Sequence, residues 1–496
     1  MNYQFSEKQR IGVKNMKYIK NLLFILILTL YINSFGYTYT QSWIDGTPML
    51  YDEAMSILKS VKSDLNFNLA PPVNVEPAFR IGDTKQFYTL NMANYTQQIL
   101  DASCLLVTDK AYIFVDKNLS VEQAKLNSLA ESFEKIYDAI TKQFGPPPFR
   151  VSNDPRIYLL IFDIIDGVRP NGVMLLGYFS PIDQFKNAEI PRWIRQKSNE
   201  ANMLYIDSAS LNAKNVNVES VIAHEFTHLI QWARDPEEST WVNEGLAVFV
   251  ENMLGYNVKD RISAYQANPI VSLRNWEDKV ENYGLAYLFF AYISERFGGL
   301  PIITDIFKNE LEDIAGIEKV LSDYGIKETF RDIFSDWVIA NYLDNTNIAD
   351  GRYGYSTLDI KLKPSAIETQ YPIVQKSLSE LPWSVRYIEF NKSENNTLTL
   401  SISELDSLID INADLIIFGN DDQVTISSVK SLNSQSGSDF VPQKSDQSVL
   451  VVSSQPDPPD QNRNSVFYYS AEAKEVSISV STSGKAITTW GKIKMK

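Results

Sequence analysis

Cysteine and histidine are almost absent from this 496-residue chain, which has one cysteine, Cys104, and two histidines. One cysteine excludes an intrachain disulfide, so core size must carry stability. Cys104 sits beside Leu105 and Leu106 and reads as a small buried hydrophobe. The alternative is a thiolate reaching a metal from a pro-segment. Basic residues are also in deficit, with 46 Lys and Arg against 61 Asp and Glu, a net charge of -15. Such a surface disfavours nucleic acid and anionic membranes. No internal repeat and no calcium-loop pattern is present.

A long hydrophobic run is missing too. Leu22–Tyr31 is apolar apart from Thr29, too short to span a bilayer, and Lys14, Lys17 and Lys20 precede it. Residues 1–36 therefore read as a signal peptide, with Ser34 and Gly36 as the small residues before cleavage at Tyr37. Met16 is an alternative start, and an uncleaved anchor is the alternative to cleavage. The first 36 residues carry a net charge of +4, which leaves -19 on the remainder. The expected location is secreted, cell-surface or periplasmic, with no stable membrane span after cleavage.

Both histidines fall in one motif, His224-Glu225-Phe226-Thr227-His228. Helix positions four apart differ by about 40° in direction, so both imidazoles can reach one metal ion. Glu225 sits beside that ion, where a base acting on an activated water belongs. Val218, Val221, Ile222, Phe226, Leu229 and Ile230 recur at helical spacing. Asn217 is the candidate N-cap and Pro236 enforces the stop after Asp235. A catalytic site needs a third protein ligand. Glu244 supplies one, within Trp241-Val242-Asn243-Glu244-Gly245 at the start of a second apolar-periodic segment. Glu251, seven residues on, shares its helix face and is a candidate to buttress a ligating histidine, the alternative being a plain surface charge.

These residues resemble the gluzincin zinc metallopeptidases, in which H-E-x-x-H is followed by a helix whose Glu is the third ligand. Within that group the chain resembles hyicolysin-like bacterial neutral metallopeptidases over roughly residues 76–345. The flanking similarities are Tyr112–Asp116, Phe144-Gly145, Leu176–Phe179, Asn202–Asp207, Asn282-Tyr283-Gly284 and Asp336–Asn341. The resemblance implies one Zn2+ per chain on His224, His228 and Glu244, with Glu225 as general base. It also makes Tyr283 a candidate oxyanion donor, because several gluzincins carry such a tyrosine downstream of the Glu ligand. The Asp that thermolysin-like enzymes carry four residues after the Glu ligand is absent, since Val248 stands at that position.

The expected fold class is α+β. A zincin-type peptidase domain would combine a mixed sheet, an active-site helix and a mainly helical lower half, followed by a C-terminal β-sandwich. Expected divisions are 1–36 signal peptide, 37–110 small β module or removable pro-segment, 111–350 peptidase domain and 365–496 sandwich. Within them the pattern predicts helices over 51–61, 121–144, 283–297, 301–311, 316–324 and 327–343. It predicts strands over 79–90, 98–106, 112–115, 156–162, 173–179 and 203–206. Short alternating runs from 384 to 480, separated by turns, predict the sandwich, with a structural or adhesive role. The functional expectation is an endopeptidase acting on protein or peptide substrates as a monomer. The G-x-M-E-N segment of the large aminopeptidases is absent, which disfavours an aminopeptidase. The second alternative is a non-catalytic surface or adhesion protein that kept a zincin scaffold.

Overall fold

A mixed sheet and two buried helices form the frame that carries the motif. The computed structural model describes residues 43–61, 70, 72, 75–167, 173–211, 217–391, 396–404, 411–419, 423–429, 447–456 and 464–475. The expected signal peptide lies outside these residues, as does the expected strand beyond Glu475. In chain order come β1 Trp43–Ile44, α1 Tyr51–Val61, β2 Thr84–Asn91, β3 Thr96–Val107, β4 Ala111–Asp116 and α2 Gln123–Phe144. Then follow β5 Ile157–Phe162, β6 Met174–Leu175, β7 Gly177–Phe179, β8 Met203–Asp207, α3 Val218–Arg234 and α4 Thr240–Met253. Five helices complete this part: α5 Lys259–Ala267, α6 Val280–Phe297, α7 Leu300–Lys308, α8 Asp313–Asp323 and α9 Phe330–Leu343.

The six-stranded sheet has the order β2-β3-β4-β5-β8-β7. The central strands β4, β5 and β8 are parallel, and β7 closes the edge antiparallel to β8. The central strands read as continuous apolar runs because both faces are covered. Alternate side chains part into two cores. Ile113, Leu159 and Leu204 join the helices on one face, while Tyr112, Leu160, Tyr205 and Cys104 pack on the other. Cys104 is fully buried there, and burial pushes its thiol up to about 11. The sheet runs through residue 110, since β3 pairs with β4 across the turn at 108–110. The strand expected over 173–179 is divided at Leu176. Its first part pairs with β1 and its second with β8, so the chain changes partners there.

Helix α3 is buried from Ser220 to Ala233, so its surroundings as well as its amphipathic pattern hold it. Phe226 stacks on Tyr137 of α2 at 5.2 Å. Its ends lie where the caps dictate. The Asn217 side chain accepts from the N–H groups of Glu219 and Ser220, and the helix closes at Arg234 before Pro236. Helix α4 packs on α3 and α6. Gly245 is what lets α6 approach, since a Cβ there would lie 2.7 Å from the Phe290 ring. Helix α6 begins at Val280, three residues before the apolar pattern indicated, because Asn282 caps it by accepting from the Lys279 N–H at 3.3 Å.

From Ala366 the chain is β. The strands are β9 Ala366–Glu368, β10 Ile373–Glu380, β11 Val385–Asn391, β12 Asn396–Glu404, β13 Ile411–Phe418, β14 Val424–Ser428, β15 Gln447–Ser454 and β16 Ser465–Glu475. They form a five-stranded sheet, β14-β13-β15-β11-β9, and a three-stranded one, β10-β16-β12. Phe390, Leu415 and Leu450 from the first share a core with Leu400, Phe467 and Tyr469 from the second. Trp383 docks this region on α9 through Phe330 and Phe334. The class is thus mixed α plus β, as expected. Among the described residues no helix is long and apolar enough to cross a membrane.

Candidate active site

Helices α3 and α4 bring His224, His228 and Glu244 together. His224 Nε2 lies 3.1 Å from Glu244 Oε2, and His228 Nε2 lies 3.3 Å from Glu244 Oε1. All three side chains are buried. A fourth group meets them from 179 residues upstream of His224. Asp45 Oδ2 is 3.1 Å from His228 Nε2 and 3.9 Å from His224 Nε2. The four donor atoms lie within 4.8 Å of one another, a group able to hold a metal ion.

Each imidazole is oriented through its other nitrogen. His224 Nδ1 is 2.7 Å from Glu251 Oε1, and Glu251 also accepts from Ser220 Oγ at 2.5 Å and from the Arg261 guanidinium. His228 Nδ1 is 2.7 Å from Gln231 Oε1, while Gln231 donates to the Asn243 carbonyl at 2.9 Å. With Nδ1–H donated in each case, both Nε2 atoms are free to ligate.

Glu225 lies beside the group, against the edge strand. A Cβ at Gly177 of β7 would sit 2.7 Å from Val221 Cγ1 and 3.1 Å from Glu225 Oε1, so only glycine leaves this carboxylate its room. Thr47 Oγ1 is 3.0 Å from Glu225 Oε2 and 2.8 Å from Asp45 Oδ1, and it accepts from the Phe179 N–H at 2.9 Å. One hydroxyl proton serves one carboxylate at a time, so a proton on Glu225 relieves the contact. Tyr283, fully buried, accepts from the Asp45 N–H at 3.1 Å and lies 6.3 Å from His224, ring to ring.

The charges follow from this crowding. Burial raises Glu225 well above the usual carboxylate range, and Asp45 adds to the rise. Burial would raise Asp45 too, but the His228 and His224 imidazoles overcome it and hold that carboxyl at about 2. Burial opposes protonation of both histidines, yet each is raised. Glu244 and Glu251 do this for His224, and Glu244 with Asp45 for His228. Burial likewise opposes ionisation of Glu251, and Arg261 and His224 outweigh it, so its carboxyl is lowered. Burial, then the Glu244 and Asp45 charges, push the Tyr283 phenol well above its usual range.

The donor set fits a cation. Asp45 Oδ2, Glu225 Oε1 and His228 Nε2 are buried without a hydrogen-bond partner. Orphaned polar atoms of this kind are costly, and a metal ion would satisfy Asp45 Oδ2 and His228 Nε2. The motif residues expected to meet do meet, and Glu251 reaches its histidine. Asp45, Thr47, Gln231 and Arg261 were not foreseen. Gln231, one turn past His228, carried a helical-spacing signal; the others carried none.

The comparisons with known proteins agree in kind. No family model matches the chain. It is similar to "Neutral metalloprotease ShpI" of Staphylococcus hyicus, 27% identical over 266 residues, 49% of this chain. The match spans 58% of that relative's length. Two solved structures cover 22% of the chain: PliG of Aeromonas hydrophila, 14% identical with TM-score 0.17, and PliG of Salmonella Typhimurium, 13% identical with TM-score 0.16. They cover 98% and 100% of those chains, which are periplasmic inhibitors of g-type lysozyme. Scores so low carry no argument about this chain. The chain is therefore similar to a bacterial metalloprotease over about half its length, and it carries a buried Asp/His/His/Glu group suited to a metal.

Proposed function

We propose that the chain is a secreted zinc-dependent endopeptidase of the gluzincin type, with the zincin-type domain over 111–350 and a β-sandwich over 365–496. The observation that carries this is the convergence of His224, His228 and Glu244 with Glu225 beside them. Zinc is the ion of choice because two imidazoles and carboxylates suit it. The donor atoms of Asp45, His224, His228 and Glu244 all lie within 4.8 Å of one another, close enough to share one ion.

His224, His228 and Glu244 would hold the ion, which supplies Lewis acidity that lowers the pKa of a water and polarises the scissile carbonyl. Glu225 accepts the water's proton and delivers it to the leaving amine. Tyr283 donates a hydrogen bond from its phenol to the carbonyl oxygen as negative charge develops there. Strand β7, at the sheet edge, offers main-chain groups to an extended peptide.

The test is made with the fourth position opened, comparing Asp45→Ala with Asp45→Ala/Glu225→Gln on denatured casein. Both should hold one zinc, and only the first should cleave. Equal cleavage by both would remove Glu225 from its role. The competing reading is a closed structural metal site in a non-catalytic surface protein, and Asp45 is the observation that favours it. One zinc without cleavage of any protein in the opened chain would establish that reading.

A further inference from the structure

The segment Trp43–Thr47 reaches His224, His228, Glu225 and Tyr283. Its strand β1 runs parallel to β6, and the Gly46 N–H donates to the Gly177 carbonyl at 3.1 Å. It thus lies extended along the edge formed by β6 and β7, where a bound peptide would make its main-chain hydrogen bonds. The Asp45 carboxylate enters the histidine–Glu244 group, its N–H engages the Tyr283 oxygen, and Thr47 contacts Glu225. Trp43 is held under the Arg261 guanidinium at 4.3 Å and edge-on to His224 at 5.4 Å. Asp45 and Thr47 are fully buried, and the following helix α1 places Ala54, Ile57 and Leu58 in the main core. The contact is therefore anchored at both ends. A carboxylate with one oxygen unpartnered is costly to bury, and the shared space between His224, His228 and Glu244 is where that oxygen points.

We propose that Asp45 is a fourth ligand of the metal and that Trp43–Val61 is a built-in inhibitor lying in the substrate groove, which makes the described chain a latent form. The proposal rests on the zinc peptidase reading. Three protein ligands leave a position for water and four close it. Asp45 takes that position, Thr47 occupies one Glu225 oxygen, Oε2, and the Asp45 N–H donates to the Tyr283 oxygen. One five-residue stretch thus takes the water's position and lies against both the base and the oxyanion donor. Because it is tethered, it competes with substrate at a high effective concentration. Activity then requires displacement of this segment by substrate, which loss of the Asp45 carboxylate makes possible by removing its hold on the ion.

The test uses the full chain loaded with cobalt(II), whose visible spectrum reports ligand changes, titrated with acetohydroxamate as a small metal-binding probe. Wild type is compared with Asp45→Ala and Asp45→Asn. Asn keeps an oxygen for the Thr47 contacts and is a poor ligand, so it carries the test if the Ala variant does not fold. Both variants should respond at probe concentrations at least about tenfold lower than wild type, since apparent affinity scales with the open fraction. Their spectra before titration should also differ from that of wild type. Identical spectra and equal probe affinity in all three chains would overturn the role of Asp45 and leave the metal site standing. No cobalt uptake by any chain would remove the metal site itself, and this proposal with it.

Discussion

Replacing Glu251 should weaken the metal site without touching a ligand. This carboxylate, 1% exposed, takes the Nδ1–H of His224, the hydroxyl of Ser220 and a guanidinium N–H of Arg261. Glu251→Gln keeps the volume but loses the charge, and its amide must turn an N–H toward one of these donors. Loss of such a partner costs about 10–100-fold in metal affinity. That corresponds to about 1.4–2.7 kcal/mol. Glu251→Ala goes further and leaves Arg261, 5% exposed, as an unpaired buried charge. Breaking a buried pair in this way costs about 3–5 kcal/mol of stability. The order of metal-free melting temperatures should be wild type, then Gln, then Ala. Zinc affinity is read by competition with a chromophoric chelator, and stability by thermal melting. The native pKa of Glu251 is lowered, so its stabilisation is present above the ordinary value of 4.5 and is lost as pH falls below it. The gap between wild type and Gln should therefore close in acid. Wild-type zinc affinity in Glu251→Gln would refute the orientation argument.

Three further outcomes follow from other residues. Gly177→Ala forces a methyl to 2.7 Å from Val221 and 3.1 Å from Glu225 Oε1. It should cost about 1–3 kcal/mol of stability by overpacking and lower turnover in the Asp45→Ala chain, with zinc retained; unchanged turnover would contradict the placement of Glu225. Tyr283→Phe in that same opened chain should keep zinc and KM and lose about 10²-fold in kcat; an unchanged kcat would remove Tyr283 as oxyanion donor. Asp183 is fully buried, accepts from the Tyr205 hydroxyl and the Asn199 N–H, and is raised by burial to about 7. The native state therefore prefers it protonated, so its contribution is complete below the ordinary value of 3.8 and is lost as pH rises through about 7. Melting curves of Asp183→Asn should lack that decline between pH 4 and 7, and a decline equal to wild type would assign it elsewhere.

The local parts of the site were legible because their causes are local. The cap at Asn217, the stop at Pro236 and the four-residue histidine spacing define α3 from neighbours in the chain. Glu251 followed from helical spacing after Glu244. The sheet strands were legible because β4, β5 and β8 are apolar throughout, yet the division of 173–179 was not, since it depends on β1 arriving from far upstream. Asp45, Thr47 and Arg261 reach the centre only through tertiary packing, and no period links Asp45 to His224. The continuation of the sheet through residue 110 was hidden for the same reason: strand pairing is set by partners, and hydrophobic alternation marks a strand without naming its neighbour.

The most direct test of the central claim is the zinc content, by elemental analysis, of purified wild-type chain and of His228→Ala. The account predicts one zinc per wild-type chain and a near-complete loss in His228→Ala, with the variant still folded by its melting transition. Zinc absent from wild type, or retained in full by His228→Ala, would contradict it.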